Sequence, residues 1–345
     1  MCEDDDPKSA ISLIIVLAGS AISLISICTN VILFLALIRN SRCFQCYFHF
    51  ILVLAFFDII ISLFYMPVIL VDTLKDWTKW IELARAWWPF FVYGLTITHI
   101  SMTTASFILL SVVFERFLIT IRYYRLKQFQ AHRSFICFIC LLLGISTKGG
   151  MLFELDVFPN EDPTCMNTVL EYYVDVTDIT KTVWYGTIYK FWFRNFATVF
   201  LPFFLLMGLN MKMVIELRRQ MRSALVNKSR RRFSLRMQSK KNVRQATSTM
   251  LFVCLSYLIA NLINVFITAW EFIDMKSLVE NFFDEYMLSA DISSLLVVSA
   301  CALRLPIYMV CNPDLRRTVK RSVQHKSDHR DKIEQTFSLI TKIVV

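Results

Sequence analysis

Seven stretches of the chain are apolar almost without interruption, and polar, charge-bearing segments separate them. The stretches are Ile11–Ile38, Phe48–Val71, Trp88–Thr120, Ser134–Phe153, Ile188–Met213, Ala246–Ile273 and Leu288–Cys311. A helix rising ~1.5 Å per residue needs about 20 mainly apolar residues to cross the ~30 Å hydrocarbon layer of a bilayer. Each stretch meets that length. They are continuous runs rather than short alternating segments, so they predict helices and not the strands of a membrane barrel. The pattern predicts an all-α membrane protein built as a seven-transmembrane helix bundle.

Composition strengthens the reading. Of 345 residues, 56% are hydrophobic and 30 are Phe, and the mean hydropathy is +0.52, too apolar for a water-soluble domain of this length. Charge then gives the bundle a direction. With the N-terminus and the even-numbered connections placed on one side, that side holds only Lys8, Lys75, Lys79, Arg85, Lys148, Lys181, Lys190, Arg194 and Lys276 of the 37 Lys and Arg. Most of the 27 Asp and Glu lie there too. Lys and Arg gather on the cytoplasmic side of membrane proteins, so the N-terminus is expected outside and the C-terminus in the cytoplasm, with the plasma membrane as the expected location. The net charge of +10 is then a membrane-side charge that meets anionic lipid, and no nucleic-acid partner is expected.

The organisation expected is a short outer N-terminus (1–10), the bundle (11–311), a peripheral helix (312–324) and a cytoplasmic tail (325–345). The acidic start Glu3-Asp4-Asp5-Asp6 lacks the positive region of a cleavable signal, so the first span is expected to serve as its own insertion signal. The third cytoplasmic connection, about 216–245, carries eleven Lys/Arg and no acid from Leu217 to Gln245. It reads either as a solvated loop on the lipid surface or, if the fifth and sixth helices extend into it, as a docking surface. The sequon at Asn227 lies there and is expected to be unused, whereas Arg231-Arg232-Phe233-Ser234 has the form of a basic-directed phosphorylation site. On the outer side, the β-branched and aromatic residues of Thr164–Trp184 (Val169, Tyr172, Val174, Val176, Ile179, Val183) predict a β-hairpin over the bundle mouth. Beyond the seventh span, Leu315, Val319 and Val323 recur every fourth residue among Arg316, Arg317, Lys320 and Arg321, which predicts an amphipathic helix on the inner membrane surface. The tail offers Ser327, Thr336, Ser338 and Thr341 to kinases, and Ile343-Val344-Val345 to a PDZ-type groove.

Polar groups inside spans are expensive and face the bundle interior. Here Asn30 lies in the first span, and Leu54-Ala55-Phe56-Phe57-Asp58 in the second. Glu115-Arg116-Phe117 ends the third. Pro202 and Asn210 lie in the fifth, and Tyr308 followed by Asn312-Pro313-Asp314-Leu315-Arg316 closes the seventh. In this order they resemble the signature residues of the rhodopsin-like (class A) G-protein-coupled receptors, over roughly 11–324. The style of sequence is similar to invertebrate, particularly nematode, receptors for FMRFamide-like neuropeptides. The resemblance implies a heterotrimeric G protein as partner, with arrestin as a further one. It assigns Asn30, Asp58, Glu115, Arg116, Asn210, Arg304 and Tyr308 to activation and coupling. In that scheme Arg116 pairs with its neighbour Glu115 at rest and reaches the G protein when active; the plainer alternative is an interfacial pair.

The chain also departs from that pattern. The cysteine expected at the outer end of the third span would fall near Phe91, so Cys165 lacks its usual partner. Cys2 is the other outer candidate, and a free Cys165 thiol is the expected outcome. The remaining cysteines lie within spans or, as Cys43 and Cys46, toward the cytosol. The fourth span lacks the family's Trp, and the sixth lacks its Trp and Pro, offering Tyr257, Asn261 and Asn264. The seventh reads Arg304-Leu305-Pro306-Ile307-Tyr308 where the family writes Asn-Pro-x-x-Tyr. A guanidinium at that depth needs a carboxylate, and Asp58 is the acid at comparable depth. An Asp58–Arg304 pair supported by Asn30 is therefore expected, against the alternative that Arg304 reaches for the headgroups. Such a pair would stand where many relatives hold sodium, with Ala105 in place of a sodium-holding serine.

For the ligand, Thr98 takes the place of the aspartate with which amine receptors hold an ammonium, and the seventh span has no Lys for a retinal Schiff base. The outer rim is acidic, which indicates a basic peptide, and an amidated C-terminus preceded by Arg would fit it. Asp291 and Glu271 are the expected contacts, with Thr98, His99, Met102, Arg194, Asn264 and Trp270 lining the site; Arg194 suits either a ligand carboxylate or a pocket acid. The competing expectation is a chemosensory receptor for environmental small molecules. No paired repeats or broken helices indicate a transporter, and no nucleophile–base pair or metal-ligand spacing indicates an enzyme, a metal or a cofactor.

Overall fold

The computed structural model describes residues 10–39, 48–226, 234–313 and 315–319; side chains at 221, 223–226, 234–246 and 275–280 are outside the description. Among the described residues, seven helices are long and apolar enough to cross a membrane: Ala10–Ile38, Phe48–Thr78, Ile81–Thr120, Arg133–Glu154, Val183–Gln220, Thr247–Asp274 and Phe283–Cys311. The first packs on the second and seventh. The third runs through the centre and touches the second, fourth, fifth and sixth, and the seventh closes the bundle against the sixth.

The way each helix turns its faces shows what solvent it is built for. On the first span Ser12, Gly19, Ser20, Ser23, Ser26 and Asn30 point inward, while Ile11, Ile14, Leu24 and Ile25 stand more than half exposed. Water would demand the reverse. Lipid tails are as apolar as leucine, so helices associate through small residues and interhelical hydrogen bonds instead. A Cβ at Gly19 would overlap the Tyr65 hydroxyl of the second span, and one at Gly144 would overlap Thr104 Oγ1 and lie 3.1 Å from the Ile100 carbonyl. The first and fourth spans can lie this close to their neighbours only without a side chain at those points.

Toward the middle the core becomes apolar: Phe50, Ile51, Leu54, Ile108, Leu109, Leu206, Met213, Met250 and Val253 are all but sealed. Two spans loosen where proline denies the helix an N–H. The second is π-helical over Met66–Leu70, containing Pro67. The fifth is π-helical over Val183–Arg194 and Phe196–Phe200, just ahead of Pro202.

At one end, Leu155–Pro159 (β1) and Tyr172–Val176 (β2) pair antiparallel, Leu155 opposite Val176 and Pro159 opposite Tyr172. The expected hairpin within Thr164–Trp184 is thus corrected. Beyond Val176 it is helical, over Asp178–Lys181 and again from Val183, and the partner of Tyr172–Val176 is the segment that directly leaves the fourth span. The intervening turn is tied down by Arg85, which donates to Glu171 at 2.8 Å and to Asn167 at 2.8 Å. The Thr164 backbone N–H, and then its hydroxyl, hold the Asp162 carboxyl below its usual range and cap the short turn Pro163–Cys165. Cys165 is buried and disulfide-bonded, which corrects the free thiol expected from the sequence; its partner and Cys2 lie outside the described residues.

At the opposite end the fifth helix continues to Val226 and the sixth starts at Ser234. Helix therefore takes up most of the expected loop 216–245, leaving 227–233 outside the description. Of the helix expected over 312–324, residues 315–319 are helical. Leu315 and Val319 are buried, and Asn312 Oδ1 accepts the Leu315 N–H at 3.1 Å. The tail with its phosphorylation and PDZ candidates lies outside the described residues.

Candidate functional site

Three polar clusters thread the bundle along its length. The middle one joins the first, second and seventh spans. Arg304 Nη1 pairs with Asp58 Oδ1; Asp58 is fully buried and Arg304 is 5% exposed, so neither charge reaches a headgroup. The Cys301 thiol lies 3.5 Å from the same oxygen. The Asn30 amide donates to the Cys301 carbonyl at 3.1 Å and to the Ser26 carbonyl at 3.0 Å, so it bears on the pair through Cys301, with no hydrogen bond to Asp58 among the described residues. Being one turn apart, Ser26 and Asn30 face the same way, and Ser62 Oγ donates to Ser26 Oγ at 2.7 Å. The second carboxylate oxygen of Asp58 is buried without a hydrogen bond among the described residues. An ion in low dielectric is stable only with its counter-ion in place, so the pair fixes the second and seventh spans to each other.

The second cluster lies at the end away from β1 and β2. Glu115 is fully buried, yet its partner is not Arg116. Arg133, at the start of the fourth span, donates to Glu115 at 2.5 Å, and Gln130 Nε2 at 3.1 Å. The expected pairing of neighbours is thereby corrected: the Arg133 guanidinium, arriving from the fourth span, takes the place at Glu115 that the expectation gave to Arg116. Glu115 turns to the fourth span. Arg116 is 4% exposed and Tyr308 of the seventh span 1% exposed, so both are buried. Asn210 of the fifth span meets Cys254 of the sixth. Gln220 donates to the Thr120 carbonyl at 2.9 Å, joining the fifth span to the third.

The third cluster sits below the strand pair, among the third, fourth, fifth and sixth spans. Arg194 Nη1 pairs with Glu154, which also accepts from Tyr185 Oη at 2.8 Å and forms an ion pair with Lys190 Nζ at 3.4 Å. Of the two roles open to Arg194, the structure gives the pocket acid. Glu271 accepts from Tyr286 Oη at 3.0 Å and faces Lys148. His99 lies within electrostatic reach of Lys148 and Arg194, and Met102 follows it one turn on. The Thr98 hydroxyl is spent on the Gly94 carbonyl at 2.8 Å. Trp270 meets Phe266 edge-on and Phe282 at a tilt, and Asn264 is part-buried. Asp291 is not in this group: it accepts from Ser12 of the first span and lies within reach of Tyr65 of the second. The ligand residues expected together thus divide into two places. Glu154 was among the acids expected at the rim, whereas Lys148 and Arg133 were not expected as members of these clusters, because each stands at a span boundary where a charge reads as ordinary loop polarity. No protein-family model matches the chain, and no curated protein matches it.

Proposed function

We propose that this chain is a G-protein-coupled receptor of the rhodopsin-like kind, activated from the strand-bearing side by a peptide carrying a basic group. The observation that carries the proposal is the buried Asp58–Arg304 pair linking the second and seventh spans. It lies between the polar cluster of Glu154, Arg194 and Glu271 at one end and Glu115-Arg116 at the other. A structural bundle has no need of buried ions at three depths; such groups in lipid mark function. In this reading the N-terminus and strand pair face the extracellular fluid and the basic end faces the cytosol.

The ligand's cation meets Asp291, in keeping with the acidic rim. Binding favours the state in which the basic ends of the fifth and sixth helices part, by no more free energy than the ligand's difference in affinity for the two states. Arg116, Asn210 and Tyr308 then line the opened cavity for a G-protein helix. The test is guanine-nucleotide exchange on G proteins reconstituted with the receptor and challenged with a library of amidated peptides. Exchange that depends on a peptide and vanishes in Arg116→Ala supports the reading. Full peptide-driven response in Arg116→Ala overturns it.

A further inference from the structure

The fifth span turns a row of large side chains outward. Ile188, Trp192, Phe196 and Phe200 recur every fourth residue, and the first three stand about half exposed. The inward face of the same helix is Arg194 and Thr198, both buried, so the row looks away from the polar cluster and into the hydrocarbon. Phe272 of the sixth span packs against its side, its ring centroid 4.9 Å from that of Trp192 and 5.7 Å from that of Phe200. With Phe193 these residues enclose a groove of about 430 Å³ between the two spans, within the ~300–1,000 Å³ of small-molecule sites. From Ile188 to Phe200 it runs at most about 18 Å at 1.5 Å per residue, close to one leaflet's share of the ~30 Å hydrocarbon layer. Trp184, one turn before Ile188, is exposed and marks the headgroup level, where tryptophans gather. The helix is in its π form along nearly the whole groove, a form frequent at functional sites.

Lipid surrounds this face, so apolarity supplies no driving force of its own. Packing, and the freedom an occupant gives up, decide what settles there. The lining is five aromatic rings and one isoleucine, with no charge to hold a phosphate headgroup. Aromatic side chains are broad walls with few torsions to lose. An acyl chain laid between them surrenders rotation about many bonds, whereas a fused-ring lipid has none to surrender in its rings and meets the walls with flat faces, where dispersion contacts accumulate. We propose that this groove binds a sterol-class lipid drawn from the surrounding leaflet, its rings between Trp192, Phe196 and Phe272 and its hydroxyl at the headgroup level that Trp184 marks. Touching both spans, the occupant braces the fifth against the sixth. The site goes beyond the receptor reading and does not rest on it.

The test uses the purified full-length protein in phosphatidylcholine nanodiscs holding a cholesterol analogue with a diazirine on its rings. After illumination, the labelled peptides are mapped by mass spectrometry. Label is expected to saturate on the segments that contain Ile188–Phe200 and Phe272. Unlabelled cholesterol should displace it, and an equal mole fraction of added phosphatidylcholine should not. Phe196→Ala should weaken the apparent affinity about two- to tenfold, the worth of one aromatic contact, and Ile188→Trp, which fills the groove, should abolish labelling. Phe138→Ala, at an exposed position of the fourth span, should leave it unchanged. Label spread evenly over the lipid-facing helices would overturn the proposal. So would equal displacement by phosphatidylcholine, which indicates an acyl chain, or cross-linking of two copies through this face with no label in it. Undiminished labelling in both Phe196→Ala and Ile188→Trp would overturn it as well. The map on the unaltered protein decides even where a variant fails to fold, and no part of the test involves nucleotide exchange.

Discussion

Asp58 and Arg304 depend on each other more than on anything around them. Removing one partner strands a buried charge, which costs about 3–5 kcal/mol, whereas removing both restores an uncharged core. Arg304→Met and Asp58→Asn are each expected to lower the melting temperature sharply, and the double variant should lie above either single one; strict additivity would argue that the two do not interact. Because the guanidinium is covalently placed beside Asp58, agonist affinity should be the same in sodium and in N-methylglucamine buffers, and a fall with rising sodium would contradict it. At the other end, the Arg133–Glu115 contact holds the third span to the fourth. If it restrains the resting state, Arg133→Gln and Glu115→Gln raise basal nucleotide exchange alike and together do no more; a rise in Glu115→Gln alone would contradict the role of Arg133. The ion pair at mid-depth was legible in the sequence, since a lone guanidinium and a lone carboxylate in lipid have few alternatives. The partner of Glu115 was not, because spacing along one helix says nothing about which residue of another helix it meets.

Among the elements, the first and fourth helices owe their placement to residues without bulk. Gly144→Val must push against Thr104 and the Ile100 carbonyl, and overpacking of this kind costs about 1–3 kcal/mol. Leu142→Val, on an exposed position of the same helix, should be near neutral in the same thermal unfolding assay, and equal losses would argue that the fourth helix does not pack there. The strand pair shows where sequence reasoning stops. Tyr172–Val176 has clear β character, but its partner Leu155–Pro159 reads as the end of an apolar span, and only the return of the chain over the bundle reveals the pairing. Cys165 belongs to this element. Denatured in the absence of reductant, it is expected to resist maleimide and to react only after reduction, as read by mass spectrometry. Labelling before reduction would show a free thiol.

For the whole molecule, periodicity and length were enough to count seven helices, because in lipid every backbone group must be paired within its own segment. The ends of the helices were less legible: the third begins at Ile81 and the fifth and sixth run well beyond the apolar windows, since polar residues extend a helix into water as readily as they end it. The account as a whole depends on the sorting of charge between the two ends of the bundle. It is tested most directly by epitope tags at the two termini, read by antibody on intact and then on permeabilised cells. The account predicts that the N-terminal tag is stained on intact cells and the C-terminal tag only after permeabilisation. Staining of both tags on intact cells, or of the C-terminal tag alone, would contradict it.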